Sequence, residues 1–141
     1  MTLEELNTKY LFFKEITGRS MEIHREYKPG LLESAYEAAL KYLLQKDGYK
    51  VEQQVLLAIY WKDTQLDQHY RMDLVVNGNI IIELKAVRFV NLEHKQQLWN
   101  YMKLTKLPYG MVINFGNDSL YSEWFEQDLT TREIKKVHLI R

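Results

Sequence analysis

Two apolar runs, Tyr70–Val76 (YRMDLVV) and Ile80–Val87 (IIIELKAV), carry Asp73, Glu83 and Lys85 within them. Charges in such surroundings require partners. Two carboxylates a few ångströms apart repel, so one takes up a proton or a divalent cation binds between them. Hard carboxylate oxygens suit Mg²⁺ or Mn²⁺, which keep waters and accept a substrate phosphate as a further ligand. Such an ion acidifies a water and stabilises charge on a phosphate under attack. Lys85 beside it would hold the water or offset the transition-state charge. This is phosphodiester hydrolysis in outline. The plainer reading is a buried structural ion pair, because acid-x-Lys is a common tripeptide and perturbed charges also occur in structural networks.

Register decides whether the three groups meet. Asn77-Gly78-Asn79 between the runs is a hairpin signal. With Asn77-Gly78 alone as the loop, Asp73 opposes Ile82, and the two acids face opposite sides of the sheet. With a three-residue loop, Asp73 opposes Glu83, and directly opposed residues share a face. A bulge elsewhere would have the same effect. Glu83 and Lys85 share a face by strand alternation. The chemistry needs all three on one face; if Glu33 belongs with them, its helix must lie across that face.

The elements that must position them follow from periodicity. Thr2–Tyr27 reads as helix, with Leu3, Leu6, Tyr10, Phe13 and Ile16 three or four apart and a break expected at Thr17–Ser20 (TGRS). Pro29 biases Lys28 away from helix. Leu31–Lys46 forms a second helix with an apolar stripe, ended by Gly48. Tyr49–Trp61 is rich in strand formers, and Lys62–Asp67 is expected as a turn. His69–Val76 and Asn79–Val87 are the two strands around the hairpin. Leu92–Lys106 returns to helical spacing, and Pro108 closes it. Tyr109–Gly116 is a buried strand. Ser119–Phe125 is a strand or an irregular segment, and Ile134–Arg141 a final strand. The order is helix, three strands, helix, strand, with additions at both ends: a mixed α/β sheet with helices packed on it.

Composition sets bounds. A chain of 141 residues, 46% hydrophobic and 27% charged, without repeats or linker-like tracts, fits a single domain over residues 1–141. Without cysteine there is no disulfide, thiolate catalysis or Cys-ligated metal. No signal peptide or run long enough to span a bilayer is present, so a cytoplasmic location is expected. Zero formal net charge gives no support to a protein that coats nucleic acid non-specifically, but it leaves room for a local basic groove.

The stretch Gly30–Tyr36 (GLLESAY) matches Gly-x-x-Glu-x-x-Tyr, and the chain resembles the GxxExxY protein family. The likeness extends through IHREYKPGLLESAYEAAL, YRMDLVVNGNIIIELKAV and HKQQLWNYMKLTKLPYGMVINFG, in order, from about Met21 to Gly116. That family is placed in the PD-(D/E)XK nuclease-like superfamily. The resemblance implies a restriction-endonuclease-like αβββαβ core, here with an N-terminal helical extension, and Mg²⁺- or Mn²⁺-dependent cleavage of nucleic acid. It assigns Asp73 and Glu83 as metal ligands with the Leu84 carbonyl, Lys85 as the catalytic cation, and Glu33 as a further acid and candidate ligand. Gln97 and Tyr101 resemble a Gln-x-x-x-Tyr pair that touches substrate or orients the lysine; four apart, they share a helix face. Met72 stands where the motif often has proline. The reading from another class is a non-catalytic nucleic-acid- or protein-binding module on the same fold. A homodimer would let so small a domain act on two strands.

Other candidates read more plainly. One glycine makes no phosphate cradle, so Gly30 is expected to serve the helix start. Glu33, read without the resemblance, is an acid favoured by the helix dipole. Tyr36 lies on the apolar stripe with a hydroxyl seeking a partner. His24 becomes a site neighbour only through the resemblance, and His69, His94 and His138 lack ligand spacing. Lys95, Trp99, Tyr101, Lys103 and Lys106 read first as an amphipathic helix and second as a groove that tracks a backbone and stacks a base.

Overall fold

The computed structural model describes residues 1–138. Its elements are α1 (Leu3–Lys9), α2 (Leu11–Tyr27), α3 (Glu33–Lys46), β1 (Val51–Trp61), β2 (Thr64–Val76), β3 (Ile80–Lys85), α4 (Leu92–Thr105), β4 (Tyr109–Asn114), β5 (Tyr121–Gln127) and β6 (Ile134–Lys136). One six-stranded sheet holds the strands in sequence order. All neighbours are antiparallel except β3 and β4, which α4 connects as a parallel pair. The core from α3 to β4 is therefore the expected αβββαβ order, with α1 and α2 before it and β5 and β6 after it.

Two apolar layers sandwich the sheet. Phe13, Ile16 and Ile23 of α2 and Tyr36, Leu40 and Leu44 of α3 pack on Leu74, Val76, Ile82, Leu84 and Ile113. Leu98, Tyr101 and Met102 of α4 cover Val75, Ile81, Val112 and Phe125 on the opposite face. Gly110 lets α4 approach closely, since a Cβ there would lie 2.6 Å from the Met102 sulfur. Leu92 and Leu104 are exposed, so the buried stripe of α4 runs through Tyr101 instead.

Several local expectations are corrected. The N-terminal helix breaks at Tyr10, whose phenol donates to Glu126 Oε1 at 2.6 Å, and runs unbroken through Thr17–Ser20. Each polar side chain there has a tertiary or helical partner: Thr17 meets Ser122, Arg19 pairs with Asp47 and Glu22, and Ser20 bonds the Ile16 carbonyl. These contacts outweigh the ~1 kcal/mol cost of glycine within a helix. The turn expected at Lys62–Asp67 contracts to Lys62-Asp63, and Thr64 already pairs with Trp61. The second helix starts at Glu33 rather than Leu31. Among the described residues the last strand ends at Lys136; Leu139–Arg141 of the expected strand lie outside them. No helix among the described residues is long and apolar enough to cross a membrane.

Candidate functional site

The β2–β3 register settles the hairpin. Val76 pairs with Ile80, Val75 with Ile81 and Leu74 with Ile82, so the loop has three residues and Asp73 stands opposite Glu83. Asn77 and Gly78 supply the positive φ angles that the turn needs. The ladder ends there. Beyond it, side chains replace main chain: the Asp73 N–H donates to Glu83 Oε2 at 3.2 Å, and the Leu84 N–H donates to Asp73 Oδ2 at 2.9 Å.

The same point is an irregularity in β1. Asp73 and Gln54 are absent from a register that otherwise runs unshifted from Val51 to Ala58, and Gln54 has φ 51°. Side-chain alternation slips by one residue there. Val51 and Val55 have the same parity yet pack on opposite faces, as do Leu74 and Met72. A left-handed non-glycine residue beside a missing ladder pair is the kind of local distortion that re-aims side chains. Here it leaves Asp73 at the opened seam between β2 and β3. Glu83 and Lys85 share a face as expected, and it is the face that α4 covers; Asp73 meets them at the seam rather than from within that face.

Lys85 and α4 form a chain of contacts. Lys85 Nζ donates to Gln97 Oε1 at 3.2 Å, and Gln97 Nε2 donates to the Tyr101 hydroxyl at 2.9 Å. The spacing of four thus places Gln97 and Tyr101 on the site side of their helix. Burial pushes the Tyr101 phenol up to about 12, and nearby Glu83 adds to the effect. His94 closes a capping box with Asn91 and lies near enough to Lys85 that burial and this cation lower its pKa.

Glu83 is only 2% exposed. Burial drives its pKa well above the ordinary carboxylate value, and Asp73 drives it further, while Lys85 only partly opposes the shift. The site therefore holds a carboxyl group that favours a proton or a neighbouring cation. Leu84 directs its N–H toward β2, and Lys85 uses its carbonyl on the β4 side, accepting from Phe115 N–H at 2.9 Å. Strand alternation then sends the Leu84 carbonyl toward the opened seam as well. Among the described residues no cluster of three or more His, Cys, Asp or Glu side chains is arranged to hold a metal. An ion at Asp73 and Glu83 would complete its shell with main-chain oxygen and water, as Mg²⁺ commonly does.

Glu33 arrives from an unexpected direction. Its helix packs on the face opposite Glu83, and only its N-terminal end reaches the seam. There the carboxylate is pushed up first by desolvation, with Asp73 and Glu37 adding to the shift and Lys85 and the Ala86 N–H opposing it. Gly30 and Tyr36 set this helix start. Gly30 has φ 121°, and the Tyr36 hydroxyl donates to the Lys28 carbonyl and accepts from Leu31 N–H at 3.2 Å. Tyr36 also stacks on Phe115. The three fixed positions of GLLESAY are thus a bend, an acid and the phenol that ties the bend down.

Sequence reasoning missed Glu37 and Gln54. Glu37 is one turn beyond Glu33 and buried, and it accepts from Gln53 Nε2 at 2.6 Å and from Gln54 Nε2 at 2.9 Å. Gln54 Nε2 also reaches Asp73 Oδ1 at 3.3 Å, which links the two carboxylates through an amide. The i, i+4 spacing of Glu33 and Glu37 was a readable signal; the backbone of Gln54 was not. His24 stands apart from this network, against the Asn117 carbonyl and Phe115. Arg71 is exposed on β2.

No curated protein matches this chain. A solved structure described as "Crystal structure of SSO0001" aligns with TM-score 0.51 and 23% identity, over 90% of this chain and 65% of that one, and this likeness shows the fold. The family model of the PD-(D/E)XK nuclease superfamily matches residues 11–135. With an αβββαβ core that sets Asp73, Glu83 and Lys85 at one opened strand seam, the chain belongs to the PD-(D/E)XK nuclease superfamily.

Proposed function

We propose that this protein is a Mg²⁺- or Mn²⁺-dependent nuclease that hydrolyses phosphodiester bonds of nucleic acid. The observation that carries the reading is the opened seam, where the Glu83 carboxylate accepts the Asp73 N–H, the Asp73 carboxylate accepts the Leu84 N–H, and Lys85 follows two residues after Glu83, held by Gln97. Asp73 and Glu83 would hold the ion with the Leu84 carbonyl, and Glu33 would act through a water or as a further ligand. The ion would supply an acidified water and a positive charge at the attacked phosphate. Lys85 would bring its ammonium to the same place, orienting the water or offsetting charge on the phosphate oxygens. Gln97 fixes that ammonium, and Tyr101 fixes Gln97. The GLLESAY motif and its structural role further support placing the chain in the GxxExxY branch of the superfamily.

A second reading, a nucleic-acid- or protein-binding module, is favoured by the hydrogen bonding of the acids. Asp73 and Glu83 each already accept a main-chain N–H, so both serve the fold as they stand. Thermal unfolding with and without Mn²⁺, beside cleavage assays on single- and double-stranded DNA and RNA, separates the two. The nuclease reading expects metal-dependent stabilisation and cleavage that Lys85→Ala abolishes. A parent that gains no stability from Mn²⁺ and cuts none of the four substrates would leave the binding module.

A further inference from the structure

Between Lys85 and α4 runs the loop Ala86–Asn91, and its backbone is held at both ends. The buried Asn114 side chain clamps Val87: its Oδ1 accepts from Val87 N–H at 3.0 Å, and its Nδ2 donates to the Val87 carbonyl at 2.8 Å. Gly116 lies under the same residue, where a Cβ would stand 2.3 Å from the Val87 oxygen. At the far end, the Asn91 side chain and His94 close the capping box of α4, and Val90 packs into the layer beneath. Two side chains are left projecting. Phe89 is 71% exposed, and the Arg88 guanidinium lies 5.7 Å from its ring centroid. Arg88 has no carboxylate partner among the described residues.

A single exposed apolar side chain is ordinary. A phenyl ring on a backbone clamped at both ends, with an unpaired guanidinium against it, offers more. It presents a flat stacking surface and a phosphate-binding cation at little further ordering cost. The pair is also close to the chemistry. Phe89 is four residues from Lys85, at most about 14 Å along an extended chain. Bases stack on aromatic rings only when they are out of a duplex, and arginine adds cation–π and phosphate contacts.

We propose that Phe89 and Arg88 form a platform for an unpaired nucleotide beside the acid–lysine site, so that the substrate is a single strand or a single-stranded segment of DNA or RNA. This rests on the nuclease reading for its purpose but not for its measurement. The test is fluorescence anisotropy of labelled single-stranded DNA, single-stranded RNA and blunt duplex, titrated with the full chain in EDTA. Either single strand should bind more tightly than duplex. Phe89→Ala should weaken that binding roughly tenfold and Phe89→Trp should preserve it. Arg88→Ala should weaken it and reduce the salt slope by about one. Both residues are exposed, so melting temperatures should match the parent. Absence of binding, tighter binding of duplex, or Phe89→Ala binding as well as the parent would overturn the platform. Cleavage of the same oligonucleotides with Mn²⁺ reads the chemistry separately. Phe89-dependent binding without cleavage sinks the nuclease and keeps the platform, and cleavage with Phe89-independent binding does the reverse.

Discussion

Glu83 and Glu123 lie in one row across the sheet. Val112 pairs with both, on β3 and β5 respectively, and the two acids are 2% and 6% exposed. Their surroundings differ in kind. Glu123 is met by two lysines, Lys95 at 2.9 Å from α4 and Lys136 at 3.5 Å from β6. Glu83 is met by another acid, while the nearest lysine, two residues along its own strand, turns to Gln97. One buried carboxylate is compensated and ties three elements together. The other is left with excess negative charge at an opening in the sheet. Burial of an acid therefore does not identify a site in this fold; the balance of its partners does.

That contrast is open to attack by substitution. The largest effect expected is on cleavage. Lys85→Ala should lower the rate by about two to three orders of magnitude, while the response of the melting temperature to Mn²⁺ persists. A Lys85→Ala variant that cuts as fast as the parent would break the catalytic half of the comparison. Asp73→Asn should lose cleavage and the Mn²⁺ response together, which separates ion holding from charge compensation.

Stability comes next. Glu123→Gln should cost about 1–2 kcal/mol, discounted because both lysines reach solvent. Glu83→Gln should leave metal-free stability unchanged or raised, because it removes charge from a desolvated, repelling pair. Urea unfolding of both variants in EDTA would show it, and equal losses would make the two glutamates equivalent.

The pH dependence sharpens the same difference. A carboxyl whose folded pKa is raised contributes stability below its unfolded pKa and loses it as pH rises through the folded value. For Glu83 that loss begins above the ordinary value of 4.5. The stability gap between Glu83→Gln and the parent should therefore widen in the variant's favour as pH rises from about 4.5 toward neutrality. Mn²⁺ should narrow the gap by binding the ionised parent.

The smallest effect concerns Tyr36. Tyr36→Phe keeps the stacking on Phe115 and removes two hydrogen bonds from the Lys28–Leu31 bend. A stability loss of about 1 kcal/mol is expected, with a several-fold fall in cleavage as Glu33 loses its fixed approach. Loss of stability without any change in cleavage would detach Glu33 from the site.

Much of this was legible in the chain. Apolar periodicity gave the order of the core elements, because helices and strands bury one face with different repeats. The charges within YRMDLVV and IIIELKAV marked the candidate site, since a buried charge needs a reason. Gln97 and Tyr101 were singled out by the resemblance, and their spacing of four put them on one helix face. Other features depended on contacts distant in sequence. Thr17–Ser20 stayed helical because Asp47 and Ser122 happened to be near. The choice between two-residue and three-residue hairpin loops lay in backbone angles that Asn77-Gly78-Asn79 permits either way. The slip at Gln54 and Asp73 needed two strands side by side. Residue types determined which groups could do chemistry. Only the tertiary structure decided that Glu33 would reach them from the opposite face, because a helix's end, unlike its apolar stripe, is aimed by whatever the stripe packs against.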